Sequence, residues 1–248
     1  MFALLLALIG VCGLAFAGYE VRGQLTPRTF TAAQQERIQA WEVAKRWRTM
    51  PKWRIFPAMI NYQLVTNAPD KAGTLRLSAR RLAIAPQASC AEALGNGKLT
   101  SVLSGKGCEA VLRSTYADAT NSLVLTAGIA VLKDRDGAQS AAKYLTGGVN
   151  AGTSFKSNQL VLRPFRVFGS SATAFGYAQR QLSWVATAGP YLVMTTVAYS
   201  DGRPRVRVGG DHYAFQEMVS LARGVAEHIA APLGQTPPTP RCPGVPSC

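Results

Sequence analysis

Acidic residues and histidines are scarce in this chain: 13 Asp and Glu stand against 27 Lys and Arg, and there are two histidines. The resulting net charge of +14 does not specify a fold, but it favours anionic partners such as nucleic acid, acidic lipid or acidic glycopolymer. Little is left for acid–base or nucleophilic chemistry. No serine stands in a G-x-S-x-G elbow, and no P-loop, dinucleotide fingerprint, HExxH helix or EF-hand loop occurs. Ser170, Ser171 and Ser200 are candidate partners of His212 by proximity alone, with Asp211 beside the histidine to orient it. No compact Cys/His quartet exists to hold zinc. The expectation is a non-enzymatic protein without cofactor or metal.

Charge is absent altogether from the first 19 residues, "MFALLLALIGVCGLAFAGY". As a helix this run would be about 28 Å long, close to the ~30 Å hydrocarbon core of a bilayer. Residues 1–19 are therefore expected to be a transmembrane anchor. A cleaved signal peptide is the rival, since Ala15-Phe16-Ala17 has the A-x-A form of a cleavage site. The run is longer than a usual signal core, however, and no Lys or Arg precedes it. A buried soluble helix is a further alternative. Lipid attachment at Cys12 is disfavoured by bulky Val11, which sits where a small residue is wanted. With no basic leader, the true start is expected upstream.

Cysteine is sparse outside that run: Cys90, Cys108, Cys242 and Cys248, an even set. Local pairing would join Cys90 to Cys108 and Cys242 to Cys248, one of three possible connectivities. Closing the first loop would constrain the unfolded chain by about 3 kcal/mol in the entropy model. Free thiols in a proline-rich tail would be a liability, so disulfides and an extracytoplasmic compartment are expected. Arg22, Arg28 and Arg37 oppose this, because positive charge after an apolar span favours the cytoplasmic side.

What is present begins with a basic, aromatic stretch over residues 20–54. Thr31 and Gln34 fit a capping box ahead of good helix formers. Ala33, Ala40, Ala44 and Trp47 make one stripe, with Ile38 and Trp41 beside it and a surplus of Arg and Lys elsewhere. The helix either lies on anionic lipid or packs its Trp face on the domain with its cations in water. "KRWRTMPKWR" has the look of a nucleic-acid patch, but an export signal ahead of it makes nucleic acid an unexpected partner. The membrane, other envelope proteins and anionic lipid or glycopolymer are the expected ones.

Residues 55–231 read as an α+β domain, an antiparallel sheet with helices packed on it. Two approximate strand–turn–strand–helix units stand out, one turning at "DATN" and one at "AGP". Leu123, Leu125, Ala127, Ile129 and Val131 share one strand face, and the opposite face is nearly as apolar, which predicts a central strand. Phe215, Met218, Val219, Ala222, Val225, Ala226 and Ile229 make the single apolar stripe of a helix lying across a sheet. "GTLRLSARRLAI" (73–84) predicts another strand, and "QLVLRPFRVF" (159–168) one or two more. "TGGVNAGTSFKSN" predicts a long surface loop. The tail, residues 232–248, holds six prolines and is expected to be extended, capped by its cysteine pair.

"SDGRPRVRVGGDHYAF" (200–215) is the remaining candidate site. On a strand, Arg203, Arg205 and Arg207 would share a face, and Gly209-Gly210 before a helix N-terminus would let an anion approach the backbone. Asp211 stands where an N-cap belongs, however, and its carboxylate would repel an anion. An exposed basic strand, a glycine turn and a capped helix account for the pattern; Arg203, Arg205, Arg207 and Gly210 are retained as the candidate anion site.

"GCEAVLRSTYADAT" (107–120), "VLTAGIAVLKD" (124–134) and "GPYLVMTTVAYSDGRPRV" (189–206) resemble a group of uncharacterised actinobacterial single-pass, membrane-anchored envelope proteins. The resemblance covers most of residues 25–248 and implies location and fold, with no catalytic residue to carry over. The doubled strand–strand–helix build is also similar to small actinobacterial sensor or lipoprotein domains. Two functions are thereby expected in competition: a binding or assembly component of the envelope, and a carrier or sensor for an apolar or anionic small molecule. A closed core would favour the first and a pocket between sheet and helices the second.

Overall fold

In the computed structural model the described residues are 30–68, 71–94, 97–146, 162–206 and 216–237. They comprise α1 (Ala32–Thr49), α2 (Lys52–Ile55), β1 (Met59–Ala68), β2 (Lys71–Ile84), α3 (Cys90–Ala93), α4 (Gly97–Ser104), β3 (Ala110–Asp118), β4 (Leu123–Val131), α5 (Arg135–Leu145), β5 (Arg180–Ala188), β6 (Tyr191–Tyr199) and α6 (Gln216–Gly234). The chain divides into two compact units, Val43–Gln235 and Met1–Glu42 with Thr236–Cys248. In the smaller unit the capping box forms as expected: Gln34 N–H donates to Thr31 Oγ1 at 3.3 Å, and Thr31 N–H to Gln34 Oε1 at 3.0 Å. The apolar segment 1–19 lies outside the described residues; among these, no helix is long and apolar enough to cross a membrane.

The larger unit is built on a six-stranded, wholly antiparallel sheet of order β1-β2-β3-β4-β6-β5. β4 is central, and every residue of β3 and β4 is buried. Leu123, Leu125, Ala127, Ile129 and Val131 face one core; Val124 and Ala130 face the layer on the other side. This is the expected double-covered strand. β3–β4–α5 and β5–β6–α6 also follow the expected element order, but their helices lie on opposite faces. Ala138, Ala141 and Leu145 of α5 join the second core, whereas Leu221, Val225 and Ile229 of α6 join the first.

The sheet curls around α6. Thr195 of β6 donates its hydroxyl to the Ala222 carbonyl at 3.2 Å. Two residues on, Gly224 lies so close to β1 that a Cβ there would stand 2.4 Å from Tyr62 Cβ. β1 and β6 are four strand positions apart, which in a flat sheet is about 19 Å at ~4.8 Å spacing. A helix is only about 10 Å across. Strands that far apart can meet the same turn of helix only if the sheet bends round it. The residue facing Tyr62 must be glycine for that approach.

The convex face is covered by α3, α4, α5 and an irregular strap beginning at Leu162. Residues 159–168 were expected to form strands. Residues 159–161 lie outside the described residues, and the remainder makes only one bridge, Leu94 with Leu162. The physical reason is in the partners. Ser183, Thr196, Thr126 and Thr115 are paired across β5, β6, β4 and β3 and are all buried. Their hydroxyls take the place of a neighbouring strand: Thr115 donates to the Phe165 carbonyl at 2.6 Å, and Phe165 N–H donates to Thr126 Oγ1 at 3.0 Å. Pro164 has no N–H to give a ladder. Leu162 drops into the space over Gly128, where a Cβ would lie 2.5 Å from its Cδ1.

Gly224→Ala provides a test of the curl. In an exposed helix this change stabilises by about 1 kcal/mol. Here the clash with Tyr62 is expected to reverse the sign, costing about 1–3 kcal/mol as an overpacked core does, read as a lower urea midpoint. A gain in stability would mean that β1 does not lie on α6.

Candidate functional site

The basic, aromatic end of α1 is built into the core rather than laid beside it. Val43 and Trp47 are buried. The Tyr191 hydroxyl donates to the Val43 carbonyl at 2.6 Å and accepts from Trp47 N–H at 3.3 Å, the two groups a regular helix would pair with each other. Burial raises the Tyr191 pKa, which keeps the phenol a donor. Arg46 donates to the Pro232 and Leu233 carbonyls, at 2.8 and 2.9 Å, and so closes the C-terminal end of α6. Of the expected stripe, Trp47 is buried and Ala44 half-buried, whereas Ala33 and Ala40 are exposed, as is Trp41 beside it. Val43, which the stripe left out, joins Trp47 in the core.

After Met50, Pro51 opens α2. Ile55 and Phe56 are fully buried, and Arg81 donates to the Phe56 carbonyl. With that end held, Lys52, Trp53 and Arg54 face outward, and Trp53 is 64% exposed. Beside them is a cleft of about 580 Å³ lined by Trp47, Arg48, Met50, Pro51, Lys52, Gln87 and Glu109. The Arg48 guanidinium lies 4.7 Å above the Trp47 ring and pairs with Glu109. Both partners are half-exposed, so the pair contributes little to stability. One carboxylate faces two cations, with Arg54 nearby, and the corner is net positive. A second groove of about 770 Å³ lies between the β5–β6 turn and the end of α6, with Arg135 and Glu227 on its rim.

The arginine segment is less than a strand. Residues 202–206 carry no ladder. Arg205 N–H donates to the Ala178 carbonyl, and the Gln181 side chain donates to the Pro204 carbonyl and accepts from Val206 N–H. Pro204, lacking an N–H, interrupts pairing, and both faces stay exposed. Arg203 pairs with Asp201 at 2.5 Å and lies 4.5 Å above the Tyr199 ring. Its hydrogen bonds hold the Asp201 carboxyl below its usual pKa. Arg207, Gly209, Gly210, Asp211 and His212 lie outside the described residues, and with them the expected helix cap.

Cys90 and Cys108 are bonded, with Cα atoms 6.3 Å apart. Ser89 caps the first turn after it, accepting from Glu92 N–H at 3.2 Å, so the bond ties the α3–α4 excursion to the start of β3. Cys12, Cys242 and Cys248 lie outside the described residues. His228 is exposed on α6. Ser170 donates to the Val167 carbonyl and accepts from Ala172 N–H, which makes it a turn cap. Among the described residues no serine, histidine and carboxylate are hydrogen-bonded together, and no group of three metal-ligating side chains occurs.

Sequence reasoning missed two charged residues. Arg46 reads as one more solvated cation, and nothing local to it announces a helix end 186 residues away. Arg113 is buried on the convex side of β3, donating to the Arg163 carbonyl at 3.3 Å. Burial lowers its pKa, Glu92 opposes that, and Arg163 adds to it. Its place in the alternation of β3 was the available signal. No family model, curated protein or solved structure matches the chain, so the roles of these residues rest on geometry.

The two arginine environments predict different costs. Arg46→Gln is expected to destabilise by about 1–2 kcal/mol, because part-buried helix-end carbonyls lose a charged donor. Arg48→Gln should stay within about 0.5–1 kcal/mol, as exposed pairs do, and Arg203→Gln should leave the urea midpoint essentially unchanged. Equal losses at Arg46 and Arg48 in urea titration would contradict this division.

Proposed function

We propose that this chain is a membrane-anchored, extracytoplasmic protein that acts without catalysis as a binding or assembly component of the cell envelope. The Cys90–Cys108 bond carries the reading, because structural disulfides persist in oxidising compartments. The uncharged first 19 residues supply the anchor, and the resemblance to actinobacterial envelope proteins supports the same location. The basic corner around Arg48, Lys52, Trp53 and Arg54 is the binding surface. A carrier with its ligand between sheet and helix is less well supported. That space is occupied by Thr195, Ala222, Val225 and Ile229, all fully buried, and the two clefts open on the surface. The arginines after the apolar run favour the opposite orientation; a formed disulfide outweighs them.

Protein alkylated at once on lysis, without reductant, decides the compartment by mass spectrometry. Cys90 and Cys108 are expected as one disulfide-linked pair in the membrane fraction, on a chain that keeps residues before Gly18. Alkylated Cys90 and Cys108 would place the domain in a reducing compartment. A mature N-terminus at Gly18 would make it a secreted protein.

A further inference from the structure

We infer that the α2 corner is a membrane-surface contact, with the Trp53 indole seated at the headgroup level of an anionic bilayer and Lys52, Arg54 and Arg48 against lipid phosphates. The inference rests on the anchored reading above and adds the face that the domain turns to the membrane.

Three observations carry it. Trp53 is 64% exposed although both of its downstream neighbours in α2 and the turn, Ile55 and Phe56, are fully buried. The short helix is therefore fixed, and the indole is held outward rather than swinging out. Indole is an amphipathic ring that partitions to the membrane–water interface. The side chains on either side of it, Lys52 and Arg54, are exposed cations, and the adjoining cleft of about 580 Å³ adds Arg48 against a single carboxylate, Glu109. Long basic side chains flanking an exposed Trp match an anionic lipid surface: stems lie on the apolar layer and charged ends reach phosphate. Finally, the chain permits the approach. Residues 20–31, between the apolar run and α1, can span at most about 40 Å, while α1 itself is about 27 Å long. A domain tethered at residue 19 can thus bring the far end of α1 back to the bilayer that holds it.

Full-length protein reconstituted into discs of phosphatidylcholine, with or without phosphatidylglycerol, tests the contact. Brominated lipids quench only tryptophans that reach the bilayer, and subtracting the Trp53→Phe signal from the wild type isolates Trp53. Its emission should be quenched by at least roughly half in the anionic discs, as for a ring at the interface. The quenching should fall at least about twofold in Lys52→Gln/Arg54→Gln, or at about 1 M salt where screening shortens to ~3 Å. An unquenched Trp53 in chains that remain in the discs overturns the inference and leaves the anchor intact. A chain that stays in solution instead defeats the anchor, and the same quenching on added phosphatidylglycerol vesicles then decides the corner. A shift in Trp53 emission with a soluble polyanion, without bromine quenching in the discs, assigns the surface to an acidic polymer and overturns the lipid contact.

Discussion

The grip of the sheet on the middle of α6 is the constraint on which the rest depends. Thr195 and Tyr62, from strands four positions apart, meet the helix at Ala222 and Gly224. That closes the concave core, and the same curl carries the start of β1 round to where α2 precedes it. Arg46 then closes the end of the helix, while Tyr191 bonds the Val43 carbonyl and the Trp47 N–H of α1. The position of Trp53 is thus a consequence of the curl, transmitted through Ile55 and Phe56.

A sheet that wraps one helix leaves its convex face uncovered. Burying that face with hydrophobic residues alone would need more helices than the connections supply. Instead, the buried hydroxyls of Ser183, Thr196, Thr126 and Thr115 form a row across four strands and hold an irregular strap, with Thr115 and Thr126 also bonded to each other at 3.0 Å. Hydroxyls can satisfy backbone groups that no strand is placed to meet, which an apolar row could not do. Beside α5, the Cys90–Cys108 bond secures α3 and α4, whose short helices would hold poorly alone.

Much of this frame was legible in residue order. The doubly apolar pattern of β4, the stripe of α6 and the Thr31–Gln34 box are local, and local patterns survive folding. What failed was of another kind. Residues 159–168 alternate like a strand, but in the described part, from Leu162 on, Leu162 and Phe165 bond hydroxyls of β3, β4 and β6, which no period within the segment encodes. Arg203, Arg205 and Arg207 alternate too, yet over the described residues 203–206 Pro204 and the Gln181 side chain make the chain an appendage of the sheet edge. At the candidate site, the basic and aromatic character of "KRWRTMPKWR" was plain. Which of its tryptophans would be buried was not, because Trp47 goes inside, and Trp53 is held outside by Ile55 and Phe56 after it, only once the curl exists to receive them.

Native-state hydrogen exchange with increasing denaturant reads the grip most directly. If the sheet is bent round α6, amides at the centre of that helix, near Ala222 and Val225, should exchange only by global opening, in one class with those of β4 and β6. Such shared, slowest protection marks a single cooperative unit. Exchange of α6 through a separate, lower-energy opening, while β4 and β6 stay protected, would contradict the account.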